Sequence, residues 1–211
     1  MKKIKKYYKI KNYKIFTGNL IVSELAKVSR TAEEISQSGD VFYELFINSN
    51  LVYNILKSFD EIDLRIINLM NKYSDKKFEQ EEQWSDIIIQ DLTSLFNSIE
   101  MIAKRYSPEK HNLANNNNYL NLHAYFDDLL YDISEMLDKY FYIEDFQQVD
   151  RSKFDPTQQI QISVLGDYGD DIDVIPQRSG FYDAAHKRIL KKEIVSIRKA
   201  NKVNDGTLNQ N

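Results

Sequence analysis

The sequence predicts an α+β protein: a long coiled-coil helix and a helical hairpin forming a dimeric four-helix bundle, followed by a small C-terminal antiparallel β domain. Three observations carry this. Between Asp40 and Ser107 there is neither glycine nor proline, and apolar residues recur at alternating steps of three and four. Residues 122–140 hold a broad apolar face at helical spacing. After Phe154-Asp155-Pro156 the period changes to two, with Ile160, Ile162 and Val164 alternating with Gln161 and Ser163.

Composition narrows the function classes. A chain of 211 residues that is 42% hydrophobic and 28% charged has room for a domain and a second smaller one, ordered over most of its length. A net charge of -4 argues against a surface built throughout for nucleic acid, and leaves only a local patch for that role. The absence of cysteine removes disulfides, thiolate metal sites and a cysteine nucleophile together. No run of about 18 apolar residues occurs, so no transmembrane helix is expected and a cytoplasmic location is. Six glycines and three prolines favour long helices over a loop-rich fold.

Residues 1–40 read as a basic arm followed by a short helix. Lys2, Lys3, Lys5, Lys6, Lys9, Lys11 and Lys14 stand without an acid among them, interleaved with Tyr7, Tyr8 and Tyr13. Such an arm suits phosphates or an anionic membrane surface, although a solvated terminus is the commoner outcome. Leu20-Ile21-Val22 is cut short by Glu24, which disfavours a signal peptide and points to Met1 as the mature start. Ser38-Gly39-Asp40 reads as a hinge.

Residues 41–149 carry the dimerisation elements. Leu45, Val52, Phe59, Ile66 and Tyr73 occupy one position of a heptad, and Ile55, Ile62 and Leu69 the other. This is a narrow seam that needs a partner helix, and no other stretch of the chain is expected to match it, so the seam predicts a parallel homodimer. Asn48 falls on the seam, where a polar residue fixes register at a cost in stability. Lys76 and Gln80 break the seam, and the pattern resumes at Trp84, Ile88, Leu92, Leu95, Ile99 and Ile102, which is compatible with a helix running on to Tyr106 with a disturbed middle; unbroken from 41 to 106 it would be roughly 100 Å long at about 1.5 Å per residue. Pro108 ends it, and Asn115-Asn116-Asn117-Asn118 reverses the chain. The returning helix, with Leu129 and Ile133 at the centre of its face, completes the bundle beside Leu95 and Ile99. Residues 150–199 form the small β domain, expected with four antiparallel strands, and 200–211 a disordered tail.

No catalytic constellation emerges. His111, His123 and His186 lie far apart and outside any ligand spacing. Asp167, Asp170, Asp171 and Asp173 do not match an EF-hand loop. There is no phosphate-binding glycine loop and no nucleophile motif. The chain reads as a non-enzyme without metal or cofactor.

The layout and three motifs resemble the GrpE family, the nucleotide exchange factors of DnaK-type chaperones. The family's D-L-L-P-V-L-D-N-L-E-R-A is similar to Asp91-Leu92-Thr93-Ser94-Leu95-Phe96-Asn97-Ser98-Ile99-Glu100-Met101-Ile102. Its G-x-x-F-D-P-x-x-H is similar to Arg151-Ser152-Lys153-Phe154-Asp155-Pro156-Thr157-Gln158-Gln159. Its closing G-Y, loop and R-V-L-R-x-A-x-V-x-V resembles Gly180-Phe181 and then Arg188-Ile189-Leu190-Lys191-Lys192-Glu193-Ile194-Val195-Ser196-Ile197. The resemblance spans roughly residues 41–198. It implies a homodimer whose β domain docks on the chaperone and promotes ADP release, with Phe154, Pro156, Arg188, Lys191 and Ile197 at family contact positions. Arg151, Gln159 and Lys191 depart from the family's glycine, histidine and arginine, which marks a divergent member. Two other classes stand beside it: a coiled-coil adaptor without exchange activity, and a nucleic-acid module using the basic arm.

Overall fold

Ile21, Leu25, Val28, Ala32 and Ile35 recur at steps of four and three, and all five are buried along helix α1 (Gly18–Gln37). In the computed structural model, which describes residues 18–37, 49–74, 81–148, 150–165 and 171–200, this stripe lies against helix α2 (Ser49–Ser74). Val52, Ile55, Phe59, Ile62, Ile66 and Tyr73 of the α2 seam are buried within the single chain, and Leu69 is half-buried. Within the single chain α1 supplies a stripe that covers this seam, so the seam does not by itself require a second chain. Leu45 and Asn48 lie outside the described residues.

Among the described residues the stretch from 41 to 106 holds two helices rather than one unbroken helix. Lys72 and Tyr73 near the end of α2 both donate to the carboxylate of Asp91 in helix α3 (Glu81–Arg105). Residues 18 or 19 apart on one straight helix would be separated by about 27 Å. The chain therefore folds back between them. Arg65 and Leu69 flank a cleft with Leu95 and Ser98, so α2 and α3 run antiparallel. Burial, helped by Asp91, pushes the Tyr73 phenol well above its ordinary pKa.

Helix α4 (Asn117–Phe141) begins at Asn116, whose side chain accepts from the Tyr119 N–H at 3.0 Å, a conventional asparagine N-cap. It ends at Tyr142, left-handed at φ 59°, whose N–H bonds Asp138 O at 3.0 Å. The Tyr119 hydroxyl donates to Tyr106 O at 2.7 Å, and His123 Nε2 lies 3.0 Å from Ala103 O. Rising numbers on one helix meet falling numbers on the other, so α3 and α4 are antiparallel. Tyr140 donates to Glu24 at 2.9 Å, while Val28 and Met136 line one cleft, which makes α1 and α4 antiparallel too. The result is an up-down-up-down four-helix bundle closed within one chain. Leu92, Leu95, Ile99, Leu129 and Ile133 are buried in it, and the Phe59 and Phe126 rings stack 4.4 Å apart across it.

The chain divides into two units, Met1–Glu144 with Asp183–His186, and Asp145–Tyr182 with Lys187–Asn211. Among the described residues six strands follow the helices: β1 (Ile143–Phe146), β2 (Gln159–Leu165), β3 (Asp171–Arg178), β4 (Gly180–Asp183), β5 (Arg188–Lys191) and β6 (Glu193–Ala200). They form two three-stranded sheets, ordered β1-β4-β5 and β2-β6-β3. β3 pairs antiparallel to β6, but β2 pairs parallel to it, with a register shift between Gln161 and Ser163. The expected four-stranded antiparallel module is corrected accordingly. Val174, Phe181, Val195 and Ile197 are buried, whereas the β2 residues that announced a strand in the sequence are not.

Because Ile62 is buried inside its own chain, Ile62→Ala should cost about 2–5 kcal/mol of stability. Circular dichroism melts would show a lowered melting temperature. Retained helicity with a halved mass in sedimentation would instead restore a two-chain seam.

Candidate partner-binding surface

The loop between β1 and β2 is built by its own side chains. Asp155 Oδ1 accepts the Thr157 N–H at 2.8 Å and its hydroxyl at 2.6 Å. The Asp155 carbonyl accepts from the N–H groups of Gln158 (3.1 Å) and Gln159 (2.7 Å), while the Asp155 N–H donates to Gln159 Oε1 at 2.9 Å. Proline at 156 presets the backbone of this turn, and the aspartate before it supplies the oxygen that closes it. Asp150 makes the same pattern with Ser152, at 3.0 Å to N–H and 2.6 Å to hydroxyl. In both cases donation from the following hydroxyl and N–H holds the carboxyl below its ordinary pKa.

One carboxylate anchors this loop to the sheet. Glu193, the first residue of β6, is fully buried. Its Oε1 accepts from Arg151 Nη1 at 2.8 Å, and its Oε2 from Gln159 Nε2 at 2.7 Å and the Gln148 N–H at 3.3 Å. Arg151 Nη2 reaches Gln147 Oε1 at 3.3 Å, and Gln147 Nε2 reaches the Ser179 hydroxyl at 3.1 Å. Main-chain bonds complete the tie: Glu193 N–H to Gln158 O at 2.9 Å, and Val174 N–H to Arg151 O at 2.7 Å. A buried carboxylate is tolerable only when paired and hydrogen-bonded on both oxygens, and Glu193 is. Arg151 and Gln159 are two of the positions at which the F-D-P segment departs from the family pattern. Both side chains meet on Glu193. By sequence Glu193 reads as one more polar residue between Lys192 and Ile194. A single acid between the basic pair Lys191-Lys192 and the apolar Ile194-Val195 is the only local signal it offers.

The five expected contact residues divide. Pro156 is exposed, and its carbonyl accepts from Lys192 Nζ at 2.5 Å. Arg188 is exposed at the start of β5. Phe154 and Lys191 are half-buried, with the Lys191 ammonium 6.0 Å from the centre of the Phe181 ring. Ile197 is buried in β6 between Val164 and Val174, where it is core rather than contact surface. The Lys192 bond holds the F-D-P turn to the segment joining β5 and β6, so two regions far apart in sequence share one exposed site. Gly180 permits close packing against the start of β6. A Cβ there would stand 2.6 Å from Phe146 Cε1 and 2.8 Å from the Glu193 backbone nitrogen.

The histidines are satisfied locally. His111 Nε2 lies 3.1 Å from Arg105 O, and His186 Nδ1 lies 2.7 Å from Asp183 Oδ2. Asp183 is fully buried and also takes the His186 N–H at 3.0 Å, so this pair closes a turn. Among the described residues no group of three or more potential ligands is placed to hold a metal ion, and no described helix is long and apolar enough to cross a membrane. The surface offers cations, a rigid turn and exposed apolar side chains. No protein-family model, curated protein or solved structure matches the chain.

Arg151→Ala would leave the Glu193 carboxylate without its cation, a loss of about 3–5 kcal/mol. Urea denaturation should show it, with the exposed Lys153→Ala as an unchanged reference. An NMR titration of Asp155 should give a midpoint below the ordinary aspartate value. The stability contributed by this depressed carboxyl is present above its unfolded pKa and lost as pH falls through the folded one.

Proposed function

We propose that this chain is a co-chaperone, a GrpE-like nucleotide exchange factor that promotes ADP release from a DnaK-type chaperone in the cytoplasm. The observation that carries the reading is the Lys192 to Pro156 bond, which joins the F-D-P turn to the basic closing strands. These are the two segments on which the resemblance places the chaperone contacts. Pro156, Arg188 and Lys192 present a rigid turn and two cationic side chains, with the half-buried Phe154 and Lys191 in the same two segments. A partner held there shifts the chaperone toward its open form only by binding that form better than the closed one. In this reading Ile197 supports the site as core.

The resemblance also implies a homodimer. The α2 seam is occupied by α1, so the pairing of two copies falls to other surfaces of the protein. A second reading, a non-enzymatic adaptor without exchange activity, is favoured by the closed bundle, because among the described residues it provides no long projecting helix to lie along a chaperone.

Arg188→Glu combined with Lys192→Glu reverses two exposed charges, and like-charge contact at an interface costs several kcal/mol. Stimulated release of a labelled ADP analogue should fall at least tenfold while the melting temperature holds. If the wild-type protein accelerates release from no DnaK-type chaperone of the same genome, the adaptor reading replaces exchange.

A further inference from the structure

Over residues 127–139 the outer face of α4 is acidic. Asp127, Asp128, Glu135 and Asp138 are exposed there and Asp132 is half-buried, with Tyr131 67% exposed at the centre. None of the five carboxylates has a hydrogen-bond or ion-pair partner among the described side chains. The cations nearby are few and mostly held. Lys139 lies on α4 itself, 3.7 Å from Glu24 and 5.0 Å from the centre of the Tyr140 ring. On α1, Lys27 bonds Glu24 at 2.8 Å, and the exposed Arg30 has Glu33 and Glu34 close by in sequence. On α3, Lys104 bonds Glu100 at 2.7 Å, while Arg105 and Lys110 belong to the other end, where Tyr106 meets Tyr119 near the start of α4. Glu144 follows the helix with a further carboxylate. Five carboxylates thus stand against one ammonium on this stretch of α4, and Glu24 and Lys27 cancel beside it. Burial, and then Glu135, Asp128 and Glu24, hold the Asp132 carboxyl above its ordinary pKa, an effect that Lys27 only partly offsets.

We infer that this face is the docking site of the chain's own lysine-rich segment, residues 1–14, which lie outside the described residues. The inference stands apart from the exchange reading. Charge is its first ground: the segment brings seven lysines and no acid, and the first acid after it is Glu24. Reach is the second. α1 runs antiparallel to α4 with Glu24 against Tyr140, so Gly18, where α1 begins, is at the end of α4 that carries the acids. The 17 residues before Gly18 span about 55 Å when extended at about 3.3 Å each. Residues 127–139 cover about 18 Å at about 1.5 Å each. The segment therefore needs only to turn back along the helix. Its tether presents it at an effective concentration on the order of millimolar, which a free basic peptide would have to reach in solution. A lysine over the open Tyr131 ring adds a cation–π contact. Because the charges are exposed, salt screens the attraction. Lysines held on α4 are withheld from phosphates and from an anionic membrane surface, which compete for the same ammonium groups.

The test uses the full chain, whose lack of cysteine lets Ile10→Cys and Ala124→Cys carry a pair of nitroxide labels. Ala124 is exposed about one turn before Asp127 and Asp128. Pulsed dipolar electron spin resonance at low salt should give one population of short distances. It should be at least twofold narrower than in about 0.5 M NaCl, where the Debye length is about 4 Å. Asp127→Asn, Asp128→Asn, Glu135→Gln and Asp138→Asn combined should broaden it as much, in a protein that melts no lower than its parent. The salt comparison decides the matter alone if that variant does not fold. A broad distribution at low salt, or a narrow one that neither salt nor the substitutions change, overturns the inference. Chains labelled singly at 10 and at 124 are then mixed: a short distance that appears only in the mixture overturns it in favour of the segment of a second copy. If the segment stays broad while fluorescein-labelled decalysine binds the wild type saturably, and the neutralised variant at least tenfold more weakly, the face belongs to a basic partner and the inference falls.

Discussion

The packing of the α1 stripe on the α2 seam is the constraint on which the helical unit depends. Each stripe is narrow, and neither helix could keep its own stripe from water alone. Together they do, since Leu25 and Val28 on one side and Ile62 and Ile66 on the other are all buried. Once these stripes meet, the other two helices have a platform: α3 is tied to α2 through Asp91, and α4 reaches α1 through Tyr140 and Glu24. Phe59 against Phe126 then fills the space between non-neighbouring helices. A bundle in which every neighbour is antiparallel needs only connections from one helix end to the adjacent one, which is why one chain closes it without a crossover.

In the second unit the corresponding part is played by Glu193. Its carboxylate is where Arg151, Gln159 and the Gln148 N–H converge, and it converts a loop of polar residues into a fixed turn. Low local dielectric makes such a network costly when incomplete and rigidifying when complete. The rigid turn is what gives Pro156 and Lys192 a defined position, and a defined position lowers the ordering cost of binding. The packing of the sheet and the position of the proposed contact residues are therefore linked through Glu193, which is itself fully buried.

The two units use apolar residues in opposite ways. In the bundle the periodic stripes are inside, whereas the alternating residues of β2 are exposed on a strand that has β6 as its only neighbour among the described residues. The sheet core comes from Val174, Val195 and Ile197 on the other two strands.

The α+β class, the helical spacing of Val52 to Tyr73, the return of the chain after Pro108 and the strand at residues 160–164 are legible in the sequence, whereas the change to strands comes earlier than the expected Pro156, since the last helix ends at Phe141 and β1 (Ile143–Phe146) follows it. These are local matters, set by side-chain period and by the fixed φ of proline. What covers each face is a matter of packing between distant segments. A heptad stripe records that a helix face is buried but not whether α1 or a second chain buries it, and α1 shows the same steps of four and three in a stretch that reads as a short helix. The same limit applies to β2, where alternation marks a strand without marking whether the strand lies inside or at an edge. Glu193, Arg151 and Gln159 are separated by up to 42 residues. Their convergence depends on the parallel pairing of β2 with β6, a long-range contact that no local pattern encodes.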